Sequence, residues 1–308
     1  MGYDENGVRF LMHALDLGVD YSTTATIGHQ RLFHMGVPEL AAALSATGLA
    51  DRANAAELRK ATGGHLNGIL EVLGAESVDV IDASQYEGAQ IIQDLNQPIP
   101  ASLEARYSAV VEGGTLEHVF NIATSLDNLM RMVKPGGHLL LAMPTNDFAG
   151  HGFYQFSPEL LFRALSPAYG YEIRESLVME RGHARPRWYR AADPAVVGRR
   201  LAFRTDSATE LYFVAQRIGD VPGFESAPMQ SDYETRWEEH ASGTSRSGAL
   251  TQRSTKPPML RRLVRHSISS LPPRPRRLGR WAVPWSRAVD NYRTRHAGFE
   301  LVREPWTV

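Results

Sequence analysis

The chain has 308 residues, 43% hydrophobic and 22% charged, the make-up of a globular protein with room for one domain of about 200 residues plus extensions, or two small ones. It has no cysteine, which excludes disulfides, thiolate metal sites and a cysteine nucleophile together, and no apolar run approaches the ~20 residues needed to span a bilayer. A net charge of −1 hides a division: from Arg253 onward 13 Lys/Arg stand against 3 Asp/Glu, while residues 1–252 carry 20 against 31. Halves of opposite sign suggest an acidic body and a basic appendage with a separate task.

The opening MGYDENGVRF is polar and acidic, so it does not read as a secretory signal, and it lacks the Ser or Thr that myristoylation prefers at its sixth position. A cytoplasmic protein is the expectation. Residues 1–20 fit a short amphipathic helix. Thr23 to Ile27 is β-rich and stops at Gly28, a first strand. About 45 residues of Ala-, Leu- and Glu-rich helical pattern follow, including a helix opened by Pro38 and closed by Gly48. Val78 to Asp82 and Gln90 to Asp94 read as strands that each end on an acid, the second running out through LNQPIP. A fourth strand is expected over 107–112, a helix over 122–133 and a fifth strand over 138–143.

Beyond it, Ser157 caps a helix with Pro158 at its first position. Residues 171–180 and 209–217 read as strands with no helix between them, an antiparallel hairpin at one edge. Strand and helix alternate through the body, which argues for a doubly wound, mostly parallel sheet. The regular pattern fades after residue 219: residues 220–258 read as a linker and 259–308 as an irregular, basic, Trp-bearing tail.

Ligands of such sheets bind outside the carboxyl ends of the strands. Two loops there carry chemistry. One holds Glu112, Gly113, Gly114, Glu117 and His118; the other runs from Pro144 to Ser157 and holds His151 between Gly150 and Gly152, with Tyr154 and Gln155 after it. An imidazole at either place is suited to taking a proton from a hydroxyl or amine near neutral pH. Each histidine has a plainer reading as a group that braces its own loop. Glu112, Glu117, His118, Asp147 and His151 are also metal-ligand types, but no H-x-x-x-H or H-x-E spacing supports a metal, and none is expected.

The block TLEHV, a helix, then MVKPGGHLLLAMP resembles the second half of a class I S-adenosylmethionine-dependent methyltransferase domain. The resemblance extends, in the order and spacing of elements, over about 23–217, and it implies a seven-stranded sheet with an antiparallel edge strand. By position it implies cofactor contacts at Gly28, at Asp82 for the ribose hydroxyls, at Asp94 and Leu95 for the adenine, and at Glu112 and Gly113 beneath the sulfonium. A carboxylate such as that of Asp82 accepts two hydrogen bonds from a vicinal diol. On the substrate side it implies Glu117, Tyr154 and Gln155, with His118 and His151 as the catalytic candidates. S-adenosylmethionine is then the cofactor, and a small-molecule or sugar-type compound the acceptor of the methyl group on O or N.

The turn after the first strand has one glycine, Gly28, where that family usually carries several, and Ser108 stands where an Asp is usual. A fold of this kind that has lost its cofactor and serves as a binding or scaffolding subunit therefore stays open. The missing G-x-G-x-x-G counts against a dinucleotide enzyme, and the acidic body against nucleic acid as acceptor. For the basic tail three readings stand: a solvated tail, a peripheral membrane-surface contact through 259–285, and nucleic-acid contact without a recognisable motif.

Overall fold

The computed structural model describes residues 2–182, 186–233, 237, 240, 296–297 and 299–302. Most of the expected linker and tail, including the membrane-surface reading over 259–285, lies outside the described residues. No helix among those described is long and apolar enough to cross a membrane.

Among the described residues, nine strands form the main sheet. In chain order they are β1 (Thr23–Ile27), β2 (Ser77–Asp82), β3 (Ile91–Ile92), β4 (Tyr107–Gly113), β5 (Val133–Pro144), β6 (Tyr171–Glu180), β7 (Arg187–Ala191), β8 (Thr209–Arg217) and β9 (Phe299–Val302). Across the sheet they run β9-β7-β6-β8-β5-β4-β1-β2-β3. The five from β3 to β5 are parallel, in the 3-2-1-4-5 order of a doubly wound sheet. The other four pair antiparallel.

The sheet therefore has nine strands where seven were expected, and its antiparallel part is a four-strand half, not an edge strand. β8 lies inside, between β5 and β6, with β7 and then β9 added outside β6. β9 comes from the segment expected to be irregular: Phe299 is buried and pairs with Ala191, and Val302 pairs with Trp188. The expected strand over 90–94 shrinks to two residues, because Asp94 turns the chain away by accepting hydrogen bonds from the Asn96 N–H (2.9 Å) and its side-chain amide (2.8 Å).

Helices cover both faces, and the strands alternate accordingly. Val110, Leu139, Leu141 and Phe213 face a core completed by α5 (Ile122–Met132) and α6 (Pro158–Ala164). Ala109, Val111, Leu140, Tyr212 and Val214 face the other core, under α1 (Glu5–Asp16), α2 (Val37–Ala46) and α4 (Asn67–Val72), with α3 (Ala55–Ala61) alongside. Asp4 caps α1 by accepting from Asn6 and Gly7 N–H groups, and Ser157 caps α6 as its Ser-Pro-Glu sequence predicts. Ser108 has a local use: its hydroxyl donates to the Thr23 carbonyl (3.0 Å), and its N–H donates to the Thr23 hydroxyl (3.0 Å), stitching β4 to β1.

One charged group in this framework sets an acid limit. Glu175 of β6 is buried and accepts two hydrogen bonds from Arg190 of β7, both 3.1 Å, with His13 of α1 beside it at 3.7 Å. Burial alone would raise its carboxyl, but His13, Arg190 and the Ser176 N–H outweigh that and hold it at about 2. A depressed carboxyl stabilises the fold above its unfolded value and loses that contribution as pH falls toward its folded one. Unfolding free energy should therefore decline between about pH 4.5 and 2. Glu175→Gln should flatten that decline and cost about 2 kcal/mol at neutral pH, less than a fully buried pair because Arg190 is half exposed. Urea titrations across pH measure both.

Candidate functional site

The strand order reverses between β1 and β4, and the crevice of such a sheet opens there. β1 ends at Ile27, in register with Ile81 on one side and Glu112 on the other. Gly28 follows with φ +74°, a left-handed turn that glycine adopts without strain, and its N–H donates to the Ile81 carbonyl (2.7 Å). The next residues tie this turn to its neighbours. His29 Nδ1 lies 2.6 Å from the Glu87 carbonyl, so the turn after β1 is fixed to the loop after β2, and the His29 ring stacks on His65 at 3.7 Å.

Asp82 ends β2 half buried, its Oδ1 accepting from the Ala83 N–H (2.6 Å). Asp94 is exposed and spends its carboxylate on the Asn96 turn, which holds its pKa below the usual range. Leu95 beside it is buried, and its carbonyl accepts from Ser125 and Asn128 of α5 (both 3.1 Å). It is a fixed piece of wall on the β3 side.

Glu112 is wholly buried and folds back on its own loop: Oε1 accepts from the N–H groups of Thr115 and Leu116. Its other oxygen, Oε2, has no partner among the described residues. Burial, then the nearby Glu117 charge, raise the Glu112 carboxyl; burial raises Glu117 as well. Gly113 lies beneath other side chains. A Cβ built on it would stand 2.4 Å from a Tyr3 ring carbon and 2.9 Å from Gln30 Oε1. Tyr3 donates its hydroxyl to the Glu112 carbonyl (2.9 Å), and Gln30 donates its amide to the Ile27 carbonyl. Both are buried.

The loops after β4 and β5 come together, as adjacent parallel strands require. Glu117 is the joint. Its carbonyl accepts from the N–H groups of Phe153 (2.7 Å) and Tyr154 (3.3 Å), and Gly152 packs so closely on it that a Cβ would lie 2.7 Å from that oxygen. Its carboxylate, with Oε1 3.5 Å from His151 Nε2 and 4.0 Å from His118 Nε2, faces both imidazoles. The two rings are 5.1 Å apart and half exposed, while the Glu117 side chain is 1% exposed. Burial and the His151 charge depress His118.

Tyr154 and Gln155 turn their polar ends to the protein. Tyr154 donates to the Phe120 carbonyl (2.6 Å), and Gln155 Oε1 accepts from the Phe148 N–H (2.9 Å). Tyr154 thereby braces an exposed aromatic rim, Phe120 and Phe153, with rings nearly perpendicular at 5.8 Å.

A cavity of about 390 Å³ opens beside this cluster, lined by Glu117, His151, Phe148, Gly114, Met143 and Tyr3, and on its far side by Arg181, Glu210 and Tyr212. Arg181 pairs with Glu210 (2.6 Å) and Asp4 (3.3 Å), and Tyr212 donates to Glu210 (2.8 Å). Sequence reasoning missed Tyr3, Gln30 and this far wall. The one signal was Glu210, an acid leading the apolar run LYFVA of β8. A second cavity, about 430 Å³, lies past Thr145 and Gln155 under Phe203, Leu201 and Phe299.

No family model matches the chain. Over 109 residues it is 35% identical to the hybrid PKS-NRPS synthetase LUC5 of a Fusarium species, a match covering 30% of this chain and 3% of that protein. Solved structures that it resembles include the N-methyltransferase NodS of Bradyrhizobium japonicum WM9 in complex with S-adenosylhomocysteine: TM-score 0.37, 15% identity, 68% of this chain and 85% of that one. Another is the Burkholderia thailandensis 1,6-didemethyltoxoflavin-N1-methyltransferase, with TM-score 0.34, 13% identity and coverage of 69% and 77%.

Proposed function

We propose that the chain transfers a methyl group from S-adenosylmethionine to an oxygen or nitrogen of a small-molecule or sugar-type acceptor. One observation carries this: where the strand order reverses, the left-handed Gly28 turn and the half-buried Asp82 carboxylate stand at the same strand ends as the Glu117–His118–His151 cluster and its cavity. Asp82 would accept from the ribose hydroxyls, Gly28 would give backbone approach, Asp94 and Leu95 would flank the adenine, and Gly113 with Glu112 would form the floor. A sulfonium methyl needs in-line positioning and a desolvated pocket more than it needs acid–base chemistry. The cofactor, when bound, would supply an electrophilic methyl for the acceptor's lone pair, and an imidazole, His151 or His118, facing the Glu117 carboxylate would take up the acceptor's proton. The Phe120 and Phe153 rim and the cavity wall suit an acceptor with an apolar face.

A melt of the full chain with S-adenosylhomocysteine tests the reading. Ligand at about 100 times its dissociation constant stabilises by about 2.7 kcal/mol, roughly 5–10 °C for a domain this size. Asp82→Ala should weaken that binding by about 1–3 kcal/mol through the lost ribose hydrogen bonds. An unchanged affinity would remove Asp82 from the site.

One observation favours a second reading, a protein of this fold without cofactor that serves as a binding subunit. Tyr3 and Gln30 occupy the space above Gly113. No shift at millimolar ligand would support it.

A further inference from the structure

We propose that Glu117, His118 and His151 bind one first-row divalent transition-metal ion. One buried carboxylate and two imidazoles converge: their ligand atoms all lie within 4.8 Å of one another, with Glu117 Oε1 3.5 Å from His151 Nε2 and 4.0 Å from His118 Nε2. Both contacts are longer than a normal N–H···O hydrogen bond, so hydrogen bonding does not account for the convergence. Ligands about 2.1 Å from a common ion stand about 3–3.5 Å apart. The Glu117–His151 edge already has that length, and the half-exposed His118 ring has room to close the rest.

A second observation points the same way. The Glu117 side chain is 1% exposed, yet its Oε2 has no hydrogen-bond partner among the described residues. A buried carboxylate oxygen left without a partner is costly, and a cation removes the cost. The frame is built for that carboxylate. Gly114 holds φ +84°, and a Cβ there would come within 3.2 Å of Glu117 Oε1, while the Glu117 carbonyl fixes the loop that carries His151.

Two imidazoles with one carboxylate favour zinc, iron, cobalt or nickel over magnesium or calcium. Three protein ligands leave at least one position open, as in sites that act on a ligand and unlike closed structural ones. Glu117 and His151 also line the 390 Å³ cavity, so an acceptor oxygen or nitrogen there is placed to take the open position; with the ion bound both imidazoles are ligands, and the ion, rather than a free His118 or His151, would then ease loss of the acceptor's proton. That last step rests on the acceptor reading above; the ion site does not.

The test is metal uptake by the full chain after chelator treatment, with zinc measured by elemental analysis and cobalt by its visible spectrum. One ion per chain is expected, with a cobalt spectrum of low coordination number. Losing an outer-shell partner of a metal ligand already costs about 10–100-fold in affinity, so His118→Ala and His151→Ala should each cost at least that. Both side chains are half exposed, and circular dichroism should show the variants folded. Failure of the full chain to take up either ion, or uptake unchanged in the double variant, overturns the proposal; the second result would put the ion on others of the 11 histidines. The S-adenosylhomocysteine melt is read separately: a shift without metal uptake sinks the ion site alone, and uptake without a shift sinks the cofactor reading alone.

Discussion

Gly152→Ala is expected to lower stability by about 3–5 kcal/mol and to abolish turnover, whereas Gly150→Ala, two residues earlier, is expected to be nearly neutral. The added methyl at 152 would sit 2.7 Å from the Glu117 carbonyl oxygen and 3.1 Å from its carbon, backbone atoms that cannot swing aside. Relief requires the loop to lift. Lifting it breaks the hydrogen bonds from Phe153 and Tyr154 to that carbonyl, each worth about 1 kcal/mol, on top of about 1–3 kcal/mol for overpacking. It also takes His151 away from the Glu117 carboxylate. At 150 a methyl meets nothing within 4 Å, and a lower-entropy unfolded chain gains up to about 1 kcal/mol. Urea midpoints separate the two variants. Amide exchange shows where the damage lies: Phe153 and Tyr154 should lose protection in Gly152→Ala while the strands keep theirs. Full protection in that variant would mean that Glu117 does not pin the loop.

The two glycines look alike in the sequence, and they show what it can and cannot reveal. Strands β1, β4, β5 and β8 are legible because each holds an unbroken apolar or β-branched run, the mark of a strand buried on both faces, and β2 because Val78, Val80 and Ile81 outweigh the Asp79 between them. Glu117, His118 and His151 could be brought together on paper because each follows one of two neighbouring parallel strands, and the fold delivers both loops to one rim. β7 and β9 escape the same reasoning. RWYRA and FELV are short and broken by charge, and β9 enters the sheet from 82 residues after β8 ends, where local pattern says nothing of a partner. The uses of polar groups are not legible either. Glu112 serves the N–H groups of Thr115 and Leu116, which are shielded from water, while Asp94 serves the exposed turn at Asn96 and Gln155 the exposed N–H of Phe148. Which carboxylate or amide serves them depends on ångström-scale geometry that composition and spacing do not encode.

The space above Gly113 yields the other large effect. Tyr3→Ala should tighten S-adenosylhomocysteine binding by up to about 100-fold while lowering the stability of the free protein by about 3–5 kcal/mol. In the fold as it stands, Tyr3 is 1% exposed, its ring covers Gly113, and its hydroxyl holds the Glu112 carbonyl at the strand-order reversal. Residues 2–3 are themselves held by pairing with 31–32, just past the Gly28 turn. A ligand that rests on Gly113 must first empty that space. Its apparent affinity is then reduced by the work of exposing the ring and breaking its hydrogen bond, about 3 kcal/mol. Since each 1.4 kcal/mol is tenfold, removing the side chain in advance returns roughly two decades. Tyr3→Phe keeps the ring and loses only the hydroxyl's bond, so it should gain no more than about fivefold. Calorimetric titration at low temperature, where the weakened variant remains folded, measures all three proteins. A loss of affinity in Tyr3→Ala would make Tyr3 a wall of the cofactor site. Equal affinity in all three would place the cofactor away from Gly113, and with it the floor assigned to Glu112.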